Sequence, residues 1–164
     1  MGKEASSSFI EDYWQNLKEG IMNYKHKVQY YETDMMGITH HSNYVRWMEE
    51  ARIEFMKDFG WDYSLNDEFG ISAPVISSSC EYKKTTTFGD VIEIEVLVEE
   101  YNSVRLKFLY FMYNAKGDVV CIGRTTHCFL SKEGRIIIIK KVLPSLEETL
   151  LKIYSLSKET ISKR

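Results

Sequence analysis

One long amphipathic helix precedes a run of long alternating strands, and that order limits how the chain can bury its apolar surface. Between about 43 and 59, Tyr44, Trp47, Met48, Ala51, Phe55 and Phe59 recur at spacings of three and four. Such spacing places them on one helical stripe. Arg46, Glu49, Glu50, Glu54 and Lys57 occupy much of the remaining surface. Ser42 or Asn43 can cap the start, and Gly60 can end the helix. After about 74 the period changes to two. Ile92, Ile94, Val96 and Val98 alternate with Glu93, Glu95, Leu97 and Glu99, as in a half-buried strand. Asn102-Ser103 form a turn, and Val104, Leu106, Phe108, Tyr110 and Met112 continue the alternation. Lys116-Gly117-Asp118 turn into a third long strand over 119–130. Glu133-Gly134 lead to a short strand from Ile136 to Ile139, and Pro144 stops it. A lone helix with an apolar stripe needs one sheet face to cover it. The expected architecture is α+β: a curved antiparallel sheet wrapped around one central helix.

The flanks complete the plan. Phe9, Ile10, Tyr13, Trp14, Leu17 and Ile21 predict a short helix over 9–22 that docks on the body, after a disordered stretch at 1–8. A first strand covers about 25–32, and a turn follows at Gly37. Ser145 with Glu148 forms a capping box for a last helix at about 145–155, and the end at Lys163-Arg164 frays. The organisation is an extension (1–23), a body (24–145) and a C-terminal helix with tail (146–164).

At 164 residues the chain suits one domain with a real core. Its net charge of -3 gives no basic field for nucleic acid. Cys80, Cys121 and Cys128 are odd in number and lack a C-x-x-C. They indicate neither a disulfide framework nor a zinc site, and a reducing, cytoplasmic setting follows. Cys121 and Cys128 have opposite strand parity and read as packing residues. No apolar run approaches the ~18 residues needed for a membrane span. There is no secretory h-region. Met1 to Ser6 fit the loose myristoylation pattern.

The chemistry concentrates just ahead of the helix, in Tyr30-Tyr31-Glu32-Thr33-Asp34-Met35-Met36-Gly37-Ile38-Thr39-His40-His41-Ser42-Asn43-Tyr44. A carboxylate supplies a base or a nucleophile, and a helix N-terminus supplies N–H groups for an oxyanion. Together they suit acyl transfer. Each residue also has a structural reading. Asp34 suits a cap on a glycine-containing turn. His41 suits a hydrogen bond at the helix start, and Tyr30 a structural strand aromatic. Tyr44, Trp47 and Met48 read first as core, with one or two lining a pocket. His40-His41 make a poor metal pair, because adjacent side chains diverge and no third ligand is spaced for zinc. Glu32 and Asp34 as a glycosidase pair find no sugar cleft in so small a chain.

The pattern Tyr-x-x-x-Asp-x-x-Gly-x-x-x-His-x-x-Tyr, here Tyr30, Asp34, Gly37, His41 and Tyr44, resembles the hotdog-fold acyl-CoA thioesterases of the 4-hydroxybenzoyl-CoA thioesterase and YbgC-like group. The resemblance runs over about 24–145 and includes helix 43–52 and the turn Phe88-Gly89-Asp90. One departure is Glu32-Thr33-Asp34, where that group often has Asp-Thr-Asp. The Met35-Met36 pair and the N-terminal extension are also unusual. The resemblance implies a hotdog fold and thioester hydrolysis, with Asp34 as the catalytic carboxylate and Tyr30 and His41 beside it. It implies a backbone N–H at His41 that polarises the carbonyl, and a homodimer or homotetramer with sites between subunits. Gly37, Tyr44, Trp47 and Met36 would contact the acyl group. Coenzyme A enters as part of the substrate, with acyl carrier protein as an alternative thiol carrier and no separate cofactor. Its phosphates call for exposed basic residues: Lys83, Lys84 and Arg124, with Arg105 and Lys107 also available. The apolar strand face at Leu97, Leu109 and Phe111 agrees with self-association. The rival readings are a non-catalytic acyl-CoA-binding hotdog protein and a hotdog hydratase or dehydratase, in which His41 would abstract the α-proton.

Overall fold

In a computed structural model, residues 7–18, 23–62 and 64–164 are described. The expectations for residues 1–6, the end of the first helix at 19–22 and Ile21 lie outside them, as does the side chain of Leu17.

The long helix forms as its stripe requires. It runs Ser42–Asp58 and buries Tyr44, Trp47, Met48, Ala51 and Phe55. Gly60 follows at φ +87°, a left-handed position that suits glycine. Neither Ser42 nor Asn43 caps the start. The N-cap is His41, without a side-chain hydrogen bond, and the Asn43 amide instead donates to the carbonyls of Glu32 and His40 at 3.0 and 3.1 Å.

Ahead of this helix lie a first helix, α1 (Ser7–Lys18), and strand β1 (Tyr24–Lys27); the long helix is α2. After it come α3 (Ser64–Phe69), β2 (Val75–Tyr82), β3 (Val91–Tyr101), β4 (Arg105–Tyr113), β5 (Val119–Cys128), α4 (Ile139–Val142) and α5 (Pro144–Ser162). Among the described residues the strands make one antiparallel sheet in the order β1-β3-β4-β5-β2. One face covers α2. A Cβ built on Gly123 of β5 would lie 2.3 Å from the Met48 sulfur, so helix and sheet meet there with no room for a side chain. Phe55 packs on Phe108 at 6.3 Å between centroids, and the Arg52 guanidinium donates to the Tyr110 hydroxyl at 3.1 Å. The expected hotdog arrangement of one helix in a wrapped sheet is present.

Four local expectations change. The first strand stops at Lys27, and Tyr30–Glu32 form a 3-10 turn, so Tyr30 is an exposed turn residue rather than a strand aromatic. Ile136 makes only an isolated bridge with Leu130, and Ile139 begins α4 with its side chain fully buried, so the isoleucine run is not a strand. The last helix has Pro144 in its first turn and no Ser145 side-chain cap, so the capping box is not used. It also continues to Ser162 instead of ending near 155.

That longer α5 has a tertiary cause. β1 pairs with β3 only from Val91 to Ile94, which leaves the rest of that edge open. α5 takes it over: the Val98 N–H donates to the buried Ser157 hydroxyl at 2.9 Å. Covering an edge in this way satisfies backbone groups that would otherwise invite other strands. Arg164, expected to fray, reaches Glu95 at 2.5 Å and lies 4.1 Å over the Phe111 ring. Leu97 and Leu109 are 2% exposed within a single chain and Phe111 is half-buried under Arg164, so these three residues do not form an exposed apolar face. α1 docks as expected: Tyr13 donates to Asp58 at 2.5 Å, and Trp14 donates to Thr160 at 3.3 Å. Ile10, Tyr13 and Trp14 share one apolar cluster with Leu146, Leu150 and Ile153 of α5.

Candidate active site

Asp34 sits at the tip of a small hairpin built from residues 32–40. Its base is closed by His40 N–H donating to Glu32 O at 2.8 Å and by the bridge between Thr33 and Thr39. Nearer the tip, Asp34 N–H donates to Ile38 O at 2.8 Å and Gly37 N–H to Asp34 O at 2.9 Å. Gly37 has φ +77°, which explains glycine at that position. The Asp34 side chain also serves the turn, since Oδ1 accepts the Met36 N–H at 2.8 Å. One carboxylate oxygen is thereby fixed, and Oδ2 has no partner among the described residues.

A second loop grips the hairpin. The Thr39 N–H donates to Thr86 O at 2.8 Å, and the two threonine hydroxyls meet at 2.6 Å. Thr86 Oγ1 also meets the Tyr44 hydroxyl at 2.9 Å, and the Thr87 hydroxyl donates to Gly37 O at 2.8 Å. Thr87, Phe88, Gly89 and Asp90 form the expected turn into β3, with Gly89 at φ +88° and Thr87 N–H donating to Asp90 at 2.9 Å. The sequence signal for Thr86 and Thr87 is the Thr85-Thr86-Thr87 run beside Phe88-Gly89-Asp90.

His41 stands where the hairpin enters α2. No partner takes its backbone N–H among the described residues, so the donor is free at the positive end of the helix. The Tyr82 hydroxyl donates to His41 O at 3.2 Å, and the Tyr82 ring stands 6.4 Å from the imidazole. The rings of His40 and His41 do not diverge: they face each other at 4.2 Å, because His41 adopts helical backbone angles directly after the turn. No group of three or more potential metal ligands occurs among the described residues.

The other candidate residues separate by environment. Tyr30, Met35 and Met36 are exposed around the tip, and Tyr30 packs edge-on against Phe88 at 5.9 Å. Tyr44 and Trp47 are buried within the chain, and the Trp47 indole N–H is committed to Glu32 Oε2 at 2.7 Å. Burial raises the Tyr44 hydroxyl above its usual range despite the Thr86 hydrogen bond. Lys83 and Lys84 follow β2 and lead to Thr86, with exposed ion pairs to Glu81 at 3.3 Å and Asp118 at 2.9 Å. Such exposed pairs are weak. Arg124 and Lys107 both engage Glu99, at 3.1 and 3.4 Å. Arg124 follows Gly123, whose missing Cβ faces α2, so alternation points Arg124 to the outer face of the sheet. Arg105 is exposed at the start of β4.

A second feature lies toward the other end of α2. A mostly apolar cavity of about 160 Å³ is lined by Met56, Trp61, Phe108, His127, Phe129 and Leu150, among others, and by none of the residues named above for catalysis or substrate.

Residues 28–157 match the family model described as thioesterase-like superfamily. The chain is 40% identical over 127 residues to a provisionally assigned esterase of Aquifex aeolicus, covering 76% of this chain and 97% of that protein. It is 34% identical over 108 residues to a Bacillus subtilis protein provisionally named acyl-CoA thioesterase YneP, covering 66% of this chain and 78% of that one. Likeness to acyl-CoA thioesterase YbgC of Helicobacter pylori is more distant, 30% over 78 residues, or 48% of this chain and 56% of that protein. Among solved structures, DHNA-CoA thioesterase from Staphylococcus aureus superposes with a TM-score of 0.78 at 28% identity, covering 84% of this chain and 93% of that one.

Proposed function

We propose that this chain, which belongs to the thioesterase-like superfamily, hydrolyses acyl-CoA thioesters to a free acid and a thiol, with Asp34 as the reacting carboxylate. The observation that carries the mechanism is the fixed Asp34: one oxygen is held by the Met36 N–H, the other has no partner among the described residues, and the hairpin runs directly into α2. From that position Asp34 either removes a proton from the attacking water or attacks the thioester carbonyl itself. The free N–H of His41 at the helix start supports a donor to the developing oxyanion, an interaction worth on the order of 10²–10³ in rate. The His41 imidazole is suited to protonating the departing thiolate. Tyr30, Met35 and Met36 supply exposed apolar contacts, and Tyr44 lies behind the site. Lys83 and Lys84 are the cations assigned to the coenzyme A phosphates in this reading, supported by their nearness in the chain to Thr86, which holds the hairpin. Acyl carrier protein is the alternative thiol carrier.

Self-association belongs to the same proposal. β2 is an edge strand, exposed at every residue except the half-buried Cys80, and it carries Val75, Ile76 and Tyr82 at the surface. A two-fold pairing of this strand with its copy would satisfy that edge in a closed dimer. Two such dimers would make a tetramer.

Thiol release from short, long and aromatic acyl-CoAs and from an acyl carrier protein thioester tests the activity. Asp34→Asn is expected to reduce it by roughly 10²–10⁴-fold. Absence of release from every substrate refutes the activity, and full activity in Asp34→Asn refutes the mechanism.

A further inference from the structure

His26 on β1 lies outside the sequence motif, yet it connects the base of the Asp34 hairpin to the central helix. Its Nε2 is 2.7 Å from Glu32 Oε1 and its Nδ1 is 3.0 Å from Glu50 Oε2. A neutral imidazole has one ring donor, whereas the cation has two. Two carboxylate acceptors are therefore satisfied together only when both ring nitrogens carry hydrogen. The ring also stacks on Trp47, at 4.7 Å between centroids.

Glu32 receives this contact at a decisive position. It is 5% exposed, and its carboxylate also accepts the Gln29 N–H at 2.8 Å and the Trp47 indole N–H at 2.7 Å. Burial opposes its ionisation, but those hydrogen bonds and the one from His26 outweigh burial and hold the carboxyl below its usual range. The carbonyl of the same residue accepts the His40 N–H and the Asn43 amide, which close the hairpin and attach it to the first turn of α2. The charged and titratable groups facing His26 are Glu32 from the 3-10 turn and Glu50 from α2. Tyr24 of β1 donates to the same Glu50 oxygen at 2.9 Å, and across the ladder His26 faces Ile92 of β3.

We propose that His26 is a positioning residue for the Asp34 hairpin: its two ring nitrogens fasten Glu32 to Glu50. The catalytic consequence rests on Asp34 as the reacting carboxylate; the positioning itself does not. His26→Gln keeps an amide donor but cannot satisfy both carboxylates. Glu50→Gln leaves the buried Glu32 contact intact and replaces a half-exposed carboxylate, so it is the milder second variant.

The test combines amide hydrogen exchange with kinetics. In His26→Gln, the amides of Asp34 and His40 are expected to exchange at least about tenfold faster, while Tyr110 in the sheet is unchanged. Thiol release is expected to lose about 10-fold or more in kcat with KM within about twofold, as misplacement of a reacting group predicts. Glu50→Gln should change kcat in the same direction by less. Hairpin exchange at the wild-type rate in both variants overturns the positioning role. Retained activity in Asp34→Asn overturns the catalytic reading alone, because hairpin exchange is read without turnover.

Discussion

The hydroxyls of Thr39 and Thr86 meet at 2.6 Å, and Thr86 passes the contact on to the Tyr44 hydroxyl at 2.9 Å. This buried trio joins the hairpin, the loop before β3 and α2. Thr86→Val keeps the volume but leaves two buried hydroxyls with one partner fewer. The expected cost is about 1–3 kcal/mol, measured by chemical denaturation. Val at Thr39 together with Val at Thr86 should cost less than the sum of the single changes, because the two residues share one interaction.

Gly37 tests the backbone of the same hairpin. Its Cβ position meets nothing within 4 Å, so substitution there meets backbone strain at φ +77° and no clash. Gly37→Ala is expected to destabilise by roughly 1–2 kcal/mol and Gly37→Asn by less, since Asn tolerates left-handed angles. Thermal unfolding ranks the variants, and equal effects would show that the turn can change its conformation.

Gly123 is the opposite case, limited by space. Gly123→Ala places Cβ 2.3 Å from the Met48 sulfur, so the methionine must move. Overpacking of this kind costs typically 1–3 kcal/mol. Met48→Val should relieve part of it, so the double variant is expected to be more stable than the two single effects would give if they simply added.

His127 makes stability depend on pH. Burial pushes its pKa down to about 4, against an opposing hydrogen bond with the Ala73 carbonyl. A depressed histidine pKa means that the unfolded chain binds more protons between the two values. Stability is therefore complete above the ordinary histidine pKa of about 6.5 and declines as pH falls toward 4, by up to roughly 1.4 kcal/mol per pH unit. Denaturation at pH 7 and pH 5 should show a larger loss in the wild type than in His127→Gln.

Much of the fold was legible locally. The stripe from Tyr44 to Phe59 located α2 to within a residue at each end, because burial of one helical face repeats every three to four residues. Alternation located β3 and β4 for the corresponding reason, and the Lys116-Gly117-Asp118 turn located β5 after them. Propensity misled at Ile136 to Ile139, where β-branched residues in a strand-like run instead deliver one side chain, Ile139, into the core and then turn into α5. In the candidate site, the motif located Asp34, Gly37 and His41 at one hairpin and helix start. It gave no sign of His26, whose partner Glu50 lies 24 positions away.

The sequence by itself determined the helix, the long strands and the hairpin that presents Asp34, since each depends on residue periodicity or on a glycine at a turn. Only the tertiary structure decided that α5 seals the open edge of β3, that Thr86 holds the hairpin, and that His26 joins Glu32 to Glu50. Those contacts link segments far apart in the chain. Their energies come from burial and hydrogen-bond geometry, which exist only once the sheet has closed around α2.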